Sequence, residues 1–560
     1  MSEQIMPKVA SSGEIVAGTR VAAATVVDVA NINWDAKYDV LVVGLGAAGA
    51  GAAIEAATHG AAVAIIDRFS GGGSTALSGS VYYAGGGTAL QNQLAVKDDT
   101  ENMYRYLKYE VGDVVEDKTL RQFCEQSPAN FTWVQQQGVQ FSGDVFTIKT
   151  THPKPEYSLY YSGNELLSSA VDKTDTYSAP RGHVADGNAK ATGLGSGFFK
   201  QLGKSAKGIV SHTYTQSRVY QLLTDKSGAV VGVELQQLSA WSLSGLLHRG
   251  FNKLANTINM ASPKLSATCR HWIERLEARG KIKRIRANKG VILSSGGFIF
   301  NRDMVAEHLP EFTRARMLGQ AGDNGAGIAL GVSAGGATAH MTSASSWRFI
   351  NPPKSWPKAI IVNHDGQRYC DEASYGAVIG TRMYRGNRGE GMLILDSDLY
   401  EQSTEFLSRD ARVVISLFVK QQLKTAFKAD SIEELAKLTG VNVNNLITTL
   451  ADYNLAVEGK KADPFLKATK DMAAIAKPPF YAINIAAGGS PSLSLGGLVV
   501  NEATGNVKDI DGNNIEGLYA AGRTAVGIAS NNYVSGLSIA DGIFSGRRAG
   551  LNAANSQPNN

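Results

Sequence analysis

The fold is decided by the stretch YDVLVVGLGAAGAGAAIEAATHGAAVAIIDR, residues Tyr38 to Arg68. Residues 39–43 are apolar after the first position and predict a buried strand. An Ala-rich segment follows and predicts a helix that ends near His59. Residues 62–66 predict a second buried strand, which ends at Asp67. Strand, helix, strand and acid in this order predict a Rossmann-type nucleotide-binding unit.

The turn between strand and helix carries three glycines, Gly44, Gly46 and Gly49, in the spacing GxGxxG. The first glycine makes the tight turn, the second lets the backbone approach a pyrophosphate, and the third lets helix and strand pack closely. The helix N-terminus offers amide donors and a positive dipole end to the anion. Asp67 follows Gly44 by 23 residues and is placed to accept hydrogen bonds from a ribose.

The next segment favours FAD over NAD. Residues 70–88, SGGGSTALSGSVYYAGGGT, form a long Gly/Ser loop, as in flavoproteins that wrap a pyrophosphate and a flavin edge. Two later segments, residues 289–303 and 512–527, are predicted strands that end in small residues and converge on the same ligand. The residues predicted to contact the cofactor are Gly44, Gly46, Ala47, Ala48, Gly49, Asp67, Arg68, Ser74, Thr75, Ser78, Gly79, Gly296, Gly297, Asn324, Gly522, Leu537 and Ser538.

Length and composition limit the number of domains and the classes of function that are expected. A chain of 560 residues is too long for one compact core, so at least two domains are expected. Its three cysteines are far apart, which favours a reducing cytoplasm and gives no reason to expect a disulfide framework or a metal site. We expect no secretory signal, and no run approaches the roughly 18 apolar residues that a spanning helix needs. The net charge is +5, which by itself is weak support for nucleic-acid binding, and none is expected.

Several further motifs, in this order, resemble the succinate dehydrogenase/fumarate reductase flavoprotein superfamily. They are ILSSGGF, GDNGAGIALGVSAGG (322–336), DGQRYCDEASYG (365–376), LSLGGLVVN (493–501) and GLYAAGR. The resemblance implies an α/β fold with a Rossmann-type FAD-binding domain built from both chain ends and an inserted α+β catalytic domain. The implied boundaries are 36–320 for the first part of the FAD-binding domain, 321–485 for the catalytic (substrate) domain, and 486–560 for the second part.

Departures from the superfamily pattern bear on the substrate. Succinate dehydrogenases attach flavin to a His in the loop after the Rossmann unit, and no His is present here, so noncovalent FAD is expected. Where fumarate reductases place a His before the GG pair, this chain has Ser494 and Leu495, and SNNYVSGLS (530–538) stands where an Arg is expected. Neutral groups do not replace a buried Arg–carboxylate clamp, so fumarate and succinate are not expected as substrates.

The neutral site resembles the 3-ketosteroid dehydrogenase branch. That branch places a Tyr and a Gly at the C-terminal position, matched here by Tyr533 and Gly536, and a second Tyr after a G-x-R-[FY]-x-[ND]-E stretch, matched by Tyr375. Ser535, two residues after Tyr533, resembles the Δ4-(5α) type more than the Δ1 type. The resemblance implies dehydrogenation of a 3-oxo-5α-steroid to a 3-oxo-Δ4-steroid, by α-proton abstraction and hydride transfer to flavin N5.

The residue types suit this chemistry. The Tyr533 hydroxyl and the Gly536 amide are candidates to stabilise the enolate oxygen, and Ser535, assisted by Tyr375, to take the proton. Ser535 or Ser538 is predicted to cap the final helix and leave the amides of Gly536 and Leu537 free. No iron–sulfur or haem motif is evident, so electrons are expected to leave to an external acceptor, quinone-like or a dye. A Δ1-dehydrogenase, an enone reductase working in reverse, and a binding module with structural FAD remain alternatives.

A basic segment interrupts the first part of the FAD-binding domain. Residues 239–289 hold eleven Lys or Arg and two acids, a net +9 that leaves −4 on the rest of the chain. Apolar residues recur at helical spacing from Trp241 and again after Pro263, which predicts two helices within the insert 239–286. A cationic helical hairpin with aromatic residues is typical of a membrane-surface element, and packing on the FAD-binding domain or a partner subunit is the alternative. The expected location is the cytoplasm, at the inner face of the membrane if residues 241–286 bind lipid.

Overall fold

The structure, a computed structural model, describes residues 14–151, 153–187, 196–409 and 413–558. Among these residues the largest sheet has nine strands. Its centre is the predicted strand Ala36–Val43, whose last four residues are buried because both faces of a parallel sheet are covered. This strand pairs in parallel with Val63–Ile66 on one side and with Lys281–Leu293 on the other.

Both chain ends contribute to the parallel part of this sheet. His212–Tyr214 continues it beyond Val63–Ile66, and Asn514–Ala520 continues it beyond Lys281–Leu293. The remaining strands of the sheet are Thr25–Val26, Ser217–Thr224, Val230–Gln237 and Asn506–Lys508. The predicted FAD-binding fold, assembled from two separated parts of the chain, is therefore confirmed.

The predicted Rossmann helix is Ala47–Thr58, and it packs on the final helix, Leu537–Asn555. Small residues make this contact close. A Cβ at Gly546 would lie 2.2 Å from the Ala48 carbonyl oxygen, and one at Gly550 would lie 2.3 Å from that of Ala52. The C-terminal segment is thereby held beside the nucleotide fingerprint.

A four-stranded sheet includes part of the Gly/Ser loop. Its strands are, in order, Val81–Tyr83, which belongs to that loop, Gly182–Val184, Tyr157–Tyr160 and Asp144–Phe146. The helices around it are Gly73–Ala76, Ala89–Gln93, Thr100–Val111, Asp117–Glu125, Ser127–Gln136, Ser168–Thr174 and Ser196–Ile209. Tyr83, Gly182 and Tyr160 lie opposite one another across three of its strands. Side chains directly opposite share a face of the sheet, so Tyr83 and Tyr160 point the same way.

The predicted catalytic domain contains a four-stranded antiparallel sheet, ordered Ile360–Val362, Met392–Leu395, Phe480–Asn484 and Phe427–Ala429. Its helices are Gly376–Tyr384, Ser397–Arg409, Val413–Lys424, Ile432–Thr439 and Val443–Val457. Two small sheets join it to the rest of the chain: Arg316–Met317, Pro491–Ser494 and Ala344–Ser346 form one, and Thr338–Ala339 with Gly497–Leu498 the other. The helix Ala326–Ser333 packs on the large sheet, and the predicted boundaries at 320/321 and 485/486 stay predictions. The helix Arg302–His308 and the 3-10 turns Pro310–Phe312, Trp356–Lys358, Thr469–Asp471 and Gly522–Thr524 complete the described elements.

The two helices predicted in the basic insert are present as Leu243–Ile258 and Pro263–Glu277. Glu277 anchors them to the FAD-binding domain. Its buried carboxylate accepts hydrogen bonds from Arg68 at 2.7 Å and from Arg218 at 3.0 Å, and lies 3.2 Å from His248 Nε2. These three partners hold the pKa of Glu277 well below its usual range and keep it ionised despite burial.

Candidate active site

A cavity lies at the carboxyl ends of the parallel strands, where ligands bind in folds of this class. Gly44 follows strand Ala36–Val43, Asp67 follows Val63–Ile66, and Ser294 follows Lys281–Leu293. Of the residues predicted to contact the cofactor, those that line this cavity are Gly44, Gly46, Ala47, Ala48, Asp67, Arg68, Ser74, Thr75, Gly296, Asn324, Gly522 and Ser538. Segments far apart in sequence therefore meet at one site, as the motifs predicted.

Two glycines of the motifs do not line the cavity, because they serve packing. A Cβ at Gly49 would lie 1.9 Å from the Gly44 carbonyl oxygen, so this position is filled by the backbone of the turn. A Cβ at Gly297 would lie 2.5 Å from the Ser494 hydroxyl. By contrast, a Cβ at Gly46 would meet a single atom within 4 Å, Thr75 Oγ1 at 3.5 Å, so the cavity is open at Gly46.

Three other predicted contacts, Ser78, Gly79 and Leu537, also lie outside the cavity lining. The Ser78 hydroxyl donates to the Thr75 carbonyl at 2.7 Å and fixes a local turn. The Leu537 side chain is buried in the core, and its amide donates to the Val534 carbonyl at 3.1 Å. The prediction of a free Leu537 amide was therefore wrong, because the chain turns tightly just before the helix.

The predicted cap of the final helix was also wrong. The helix begins after Gly536, whose φ of 88° lies in the left-handed region that favours glycine, and no side chain caps it. Neither Ser535 nor Ser538 holds this helix end. The Ser535 hydroxyl instead lies 3.4 Å from the hydroxyl of Tyr160, which donates to it.

Asp67 and Arg68 line the cavity, but both have protein partners. One Asp67 carboxylate oxygen accepts from the Leu45 amide at 2.9 Å, and the other from the amides of Phe69 and Gly71 at 2.8 and 3.0 Å. Arg68 donates to Glu277 of the basic insert. Asp67 thus ties the start of the Gly/Ser loop to the fingerprint turn, and its predicted ribose contact stays a prediction.

An ion pair that the sequence analysis did not single out crosses the cavity. Arg523 Nη2 donates to both carboxylate oxygens of Asp323 at 3.0 Å, and Asp323 also accepts from the Ser74 hydroxyl. Arg523 Nη1 and the Ser295 hydroxyl are buried and have no hydrogen-bond partner among the described residues. Both residues line the cavity, so a ligand with buried hydrogen-bonding groups fits there. The quoted motifs GDNGAG and AAGR contained both charged residues.

Beside the cavity lies an aromatic cluster. Its buried part is formed by Trp347, Tyr375, Ala377, Leu493 and Leu495, and Leu318, Phe349 and Tyr533 pack against them. Tyr375 precedes the helix Gly376–Tyr384 of the predicted catalytic domain, whereas Tyr533 and Ser535 precede the final helix. The structure therefore brings together the predicted catalytic residues Tyr375, Tyr533, Ser535 and Gly536 from distant parts of the chain.

Hydrogen bonds orient the hydroxyl groups of this cluster. The Trp347 indole N–H donates to the Tyr375 hydroxyl at 3.0 Å, and the Trp347 ring meets Tyr533 edge-on with centroids 5.0 Å apart. Burial raises the pKa of Tyr375 well above its usual value, and hydrogen bonds from Trp347 and Ser535 partly offset that effect. Burial also raises the pKa of Tyr160 and that of Tyr533. These phenols are therefore protonated at neutral pH and available as donors.

Tyr160 is a site residue that sequence reasoning missed. It is buried at the end of strand Tyr157–Tyr160, and its hydroxyl donates to that of Ser535 in the segment before the final helix. A nearby residue holds Tyr375 as well, because Asn164 Oδ1 accepts from the Tyr375 amide at 2.7 Å. The segment EYSLYYSGNE offered a weak signal, since tyrosines in a strand are common in ordinary cores.

Two positions that the sequence analysis singled out, Ser494 and Leu495, lie near these hydroxyls or in their cluster and are neutral. Ser494 is buried, and its hydroxyl accepts from the Phe298 amide at 2.8 Å. Leu495 is part of the aromatic cluster. Both positions therefore present no charge to a substrate.

Comparison with known proteins shows what the chain is related to. A family model described as FAD binding domain matches residues 39–539. The chain belongs to this FAD-binding family. FAD is thus the cofactor of this flavoprotein, and the prediction from the fingerprint is confirmed; its noncovalent attachment stays a prediction.

Two of the relatives of this flavoprotein are named as steroid dehydrogenases. It is 35% identical over 519 residues to a 3-oxo-5-alpha-steroid 4-dehydrogenase of Comamonas testosteroni, covering 88% of this chain and 93% of that one. It is 25% identical to a 3-oxosteroid 1-dehydrogenase of Mycolicibacterium smegmatis, covering 89% and 93%. Among solved structures, a 3-ketosteroid-delta4-(5alpha)-dehydrogenase from Rhodococcus jostii RHA1, in complex with 4-androstene-3,17-dione, matches with a TM-score of 0.77 and 29% identity, covering 95% and 100%.

Proposed function

We propose that this flavoprotein oxidises a 3-oxo-5α-steroid to the corresponding 3-oxo-Δ4-steroid. The observation that carries the proposal is the neutral aromatic cluster beside the FAD cavity, in which Tyr375, Tyr533 and Ser535 present hydroxyl groups. A rigid apolar ketone fits walls of this kind. The similarity to two named Δ4-(5α) enzymes supports the same substrate class.

The ketone oxygen must become an enolate oxygen as the α proton leaves, and donors that point at it lower that barrier. We assign this role to the Tyr533 hydroxyl and the Gly536 amide. In the structure this hydroxyl faces the amides of Gly536 and Ser538, and those contacts partly offset the effect of burial on the pKa of Tyr533. Tyr533 and Gly536 are three positions apart, just before the first residue of the final helix.

Ser535 takes the α proton in this scheme. A serine hydroxyl is a weak base, so it must pass its own proton on as it accepts another. Two phenols lie next to it, Tyr160 at 3.4 Å and Tyr375, whose hydroxyl bonds with Ser535. Because both phenols are already protonated, the one that receives the serine proton releases its own proton to solvent. Bound FAD supplies the hydride acceptor, at N5, when the carbon next to the enolate carbon is oxidised.

Electrons are expected to leave the flavoprotein to an external acceptor, quinone-like or a dye. The predicted contact of residues 241–286 with a membrane surface belongs to the same proposal, because a steroid partitions into lipid. A substrate delivered from lipid and an acceptor dissolved in lipid would both be reached from that surface.

The decisive experiment is anaerobic reduction of the FAD-loaded protein. 5α-androstane-3,17-dione is expected to bleach the flavin absorbance and yield a 4-ene product. Bleaching by androst-4-ene-3,17-dione with a 1,4-diene product would show a Δ1-dehydrogenase instead. Bleaching by neither steroid would contradict steroid oxidation and leave the enone-reductase and binding-module alternatives.

Variants of the proposed residues sharpen this test. Ser535→Ala and Tyr533→Phe are expected to slow flavin reduction by about 10²- to 10³-fold, since one removes the proton acceptor and the other an enolate donor. Tyr161→Phe is the matched control, because Tyr161 neighbours Tyr160 in sequence yet has only half-buried surroundings. An equal loss in all three variants would point to damaged packing rather than to lost chemistry.

A further inference from the structure

The first helix of the basic insert, Leu243–Ile258, exposes most of its large apolar side chains, whereas an ordinary surface helix buries them. Its exposed positions include Leu243, which is 72% exposed, and Leu246, Leu247 and Leu254, each at least 43% exposed. Its buried positions are Gly245, His248 and Ala255, and of its large apolar residues Phe251 is half-buried against Phe69, Ile273 and Ala321. Surface helices normally bury their apolar stripe, so this helix turns the wrong face to water unless another apolar phase covers it.

The second helix and the segments around both helices extend this surface. We call the exposed apolar residues of the insert the hairpin face, formed by Trp241, Leu243, Leu246, Leu247, Leu254, Met260, Leu265 and Trp272. Trp241 is 89% exposed. These eight are among 21 large exposed apolar residues in the part of the chain that the structure describes, a concentration in a short segment that scattered exposure does not produce.

The inward contacts fix which way the hairpin face points. Glu277 binds Arg68, Arg218 and His248, and the His248 ring stacks on Phe69, with centroids 5.4 Å apart. Arg68, Arg218 and Phe69 line the FAD cavity. The helices cannot rotate their leucines inward without breaking a buried ion cluster, so the exposure of the hairpin face is built into the fold.

The charge around the hairpin face is of one sign. Lys253, Lys264 and Arg275 are exposed on the two helices. The two acids of the hairpin are already paired, Glu277 in the buried cluster and Glu274 with Arg20 at 3.3 Å. An apolar surface with tryptophans and exposed cations fits the interface of a bilayer that contains anionic lipids.

We propose that the hairpin face docks the flavoprotein on an anionic lipid surface, with Trp241, Leu243 and Leu247 in the headgroup region and the cations against lipid phosphates. None of the described helices is long and apolar enough to span a bilayer, so the contact is with its surface. The physiological purpose rests on the proposed function, since a steroid substrate dissolves in the same lipid. Docking itself does not depend on which substrate is oxidised.

The test is sedimentation of the full-length FAD-loaded protein with vesicles. Binding is expected to vesicles of phosphatidylglycerol and phosphatidylcholine and to weaken at least about tenfold with pure phosphatidylcholine or in high salt. Lys253→Glu with Lys264→Glu is expected to weaken binding to the anionic vesicles at least about tenfold. Leu243→Ser with Leu247→Ser is expected to do the same, because it removes inserted apolar area.

A matched control is Lys437→Glu with Leu438→Ser, an exposed cation and leucine on the helix Ile432–Thr439 of the predicted catalytic domain. This variant is expected to bind vesicles like the unaltered protein. Failure of the unaltered protein to bind anionic vesicles would overturn the proposal. So would self-association that the leucine variant abolishes, seen by sedimentation velocity without any vesicle binding, because the hairpin face would then join two copies of this chain.

Steroid turnover separates this proposal from the proposed function. With steroid delivered in cyclodextrin, both hairpin variants are expected to keep the kcat of the unaltered protein. Vesicle binding without any steroid turnover would support lipid docking and contradict the proposed steroid substrate. Steroid turnover without vesicle binding would support the proposed substrate and contradict lipid docking.

Discussion

The indole N–H of Trp347 donates a 3.0 Å hydrogen bond to the hydroxyl of Tyr375, and both side chains are buried. The Tyr375 oxygen accepts this bond from Trp347, and Ser535 is its other hydrogen-bond partner. Trp347 is therefore a positioning residue in the proposed scheme. Trp347 affects the proposed reaction only by orienting the Tyr375 hydroxyl.

Trp347→Phe is expected to lower kcat about three- to tenfold, since one oriented hydrogen bond is lost. Stopped-flow flavin reduction with a 5α-steroid would measure the change. Trp356→Phe is the control, because the buried Trp356 indole donates to Ser403 at 3.0 Å elsewhere in the same domain. The control is expected to lower the melting temperature but not kcat; equal kcat losses in both variants would contradict the positioning role.

Gly46 and Gly49 are expected to respond differently to the same change. Gly49→Ala places a methyl group against the Gly44 carbonyl and is expected to lower the melting temperature of the FAD-free protein sharply. Gly46→Ala meets open space at a negative φ, so the FAD-free protein is expected to melt normally. Its added methyl group projects into the cavity, so the stabilisation by added FAD is expected to shrink. Differential scanning fluorimetry with and without FAD measures both effects, and indistinguishable variants would contradict the assignment.

Glu165 is expected to make stability depend on pH. It is buried, one of its carboxylate oxygens has no partner among the described residues, and burial raises its pKa to about 7. In the unfolded chain a Glu loses its proton near pH 4.3. Stability is therefore lost as pH rises from about 4.5 to 7, by roughly 2 to 4 kcal/mol for such a shift.

Glu165→Gln removes this loss. The variant is expected to melt higher than the unaltered protein at pH 8 and close to it at pH 5. Calorimetry across that range measures the difference, with Glu458→Gln as an exposed control. A melting difference that does not change with pH would show that Glu165 is not the titrating group.

Two acids on one helix of the basic insert are expected to differ in importance. Glu277→Ala leaves Arg68 and Arg218 buried without their counter-ion and is expected to destabilise the protein by about 3 to 5 kcal/mol. Glu274→Ala breaks a pair with the partly exposed Arg20, worth less than about 1 kcal/mol. Melting temperatures of the two variants give the comparison, and a larger effect of Glu274→Ala would contradict the anchoring role of Glu277.

Local spacing was enough to predict the nucleotide fingerprint, because each part acts within a few residues of the chain. The turn at Gly44, the helix Ala47–Thr58 and the following strand lie where the pattern indicated. Spacing could not separate Gly46, which faces the cavity, from Gly49, which faces the turn. It also could not show that Arg68 pairs with Glu277, 209 positions further along the chain.

The basic insert also shows what the sequence could not predict, namely which face of each helix is buried. Its helices were predictable from the repeat of apolar residues, yet the repeat does not say which face is covered. After Pro263 the apolar residues that recur at helical spacing are Leu265, Cys269, Trp272 and Leu276. Leu265 and Trp272 are exposed, whereas Cys269 and Leu276 are buried. Partners outside the hairpin, such as Arg218 and Phe69, decided the orientation.

The sequence by itself determined the cofactor class and the assembly of the FAD-binding domain from both chain ends. These depend on residue types at short, regular spacings, where backbone geometry leaves few options. Only the tertiary structure decided that Tyr160 joins Ser535, that Trp347 orients Tyr375, and that the leucines of the insert face outward. These contacts join residues from different elements, 375 positions apart for Tyr160 and Ser535 and 28 for Trp347 and Tyr375, and packing and buried charge pairing fix them rather than any local pattern.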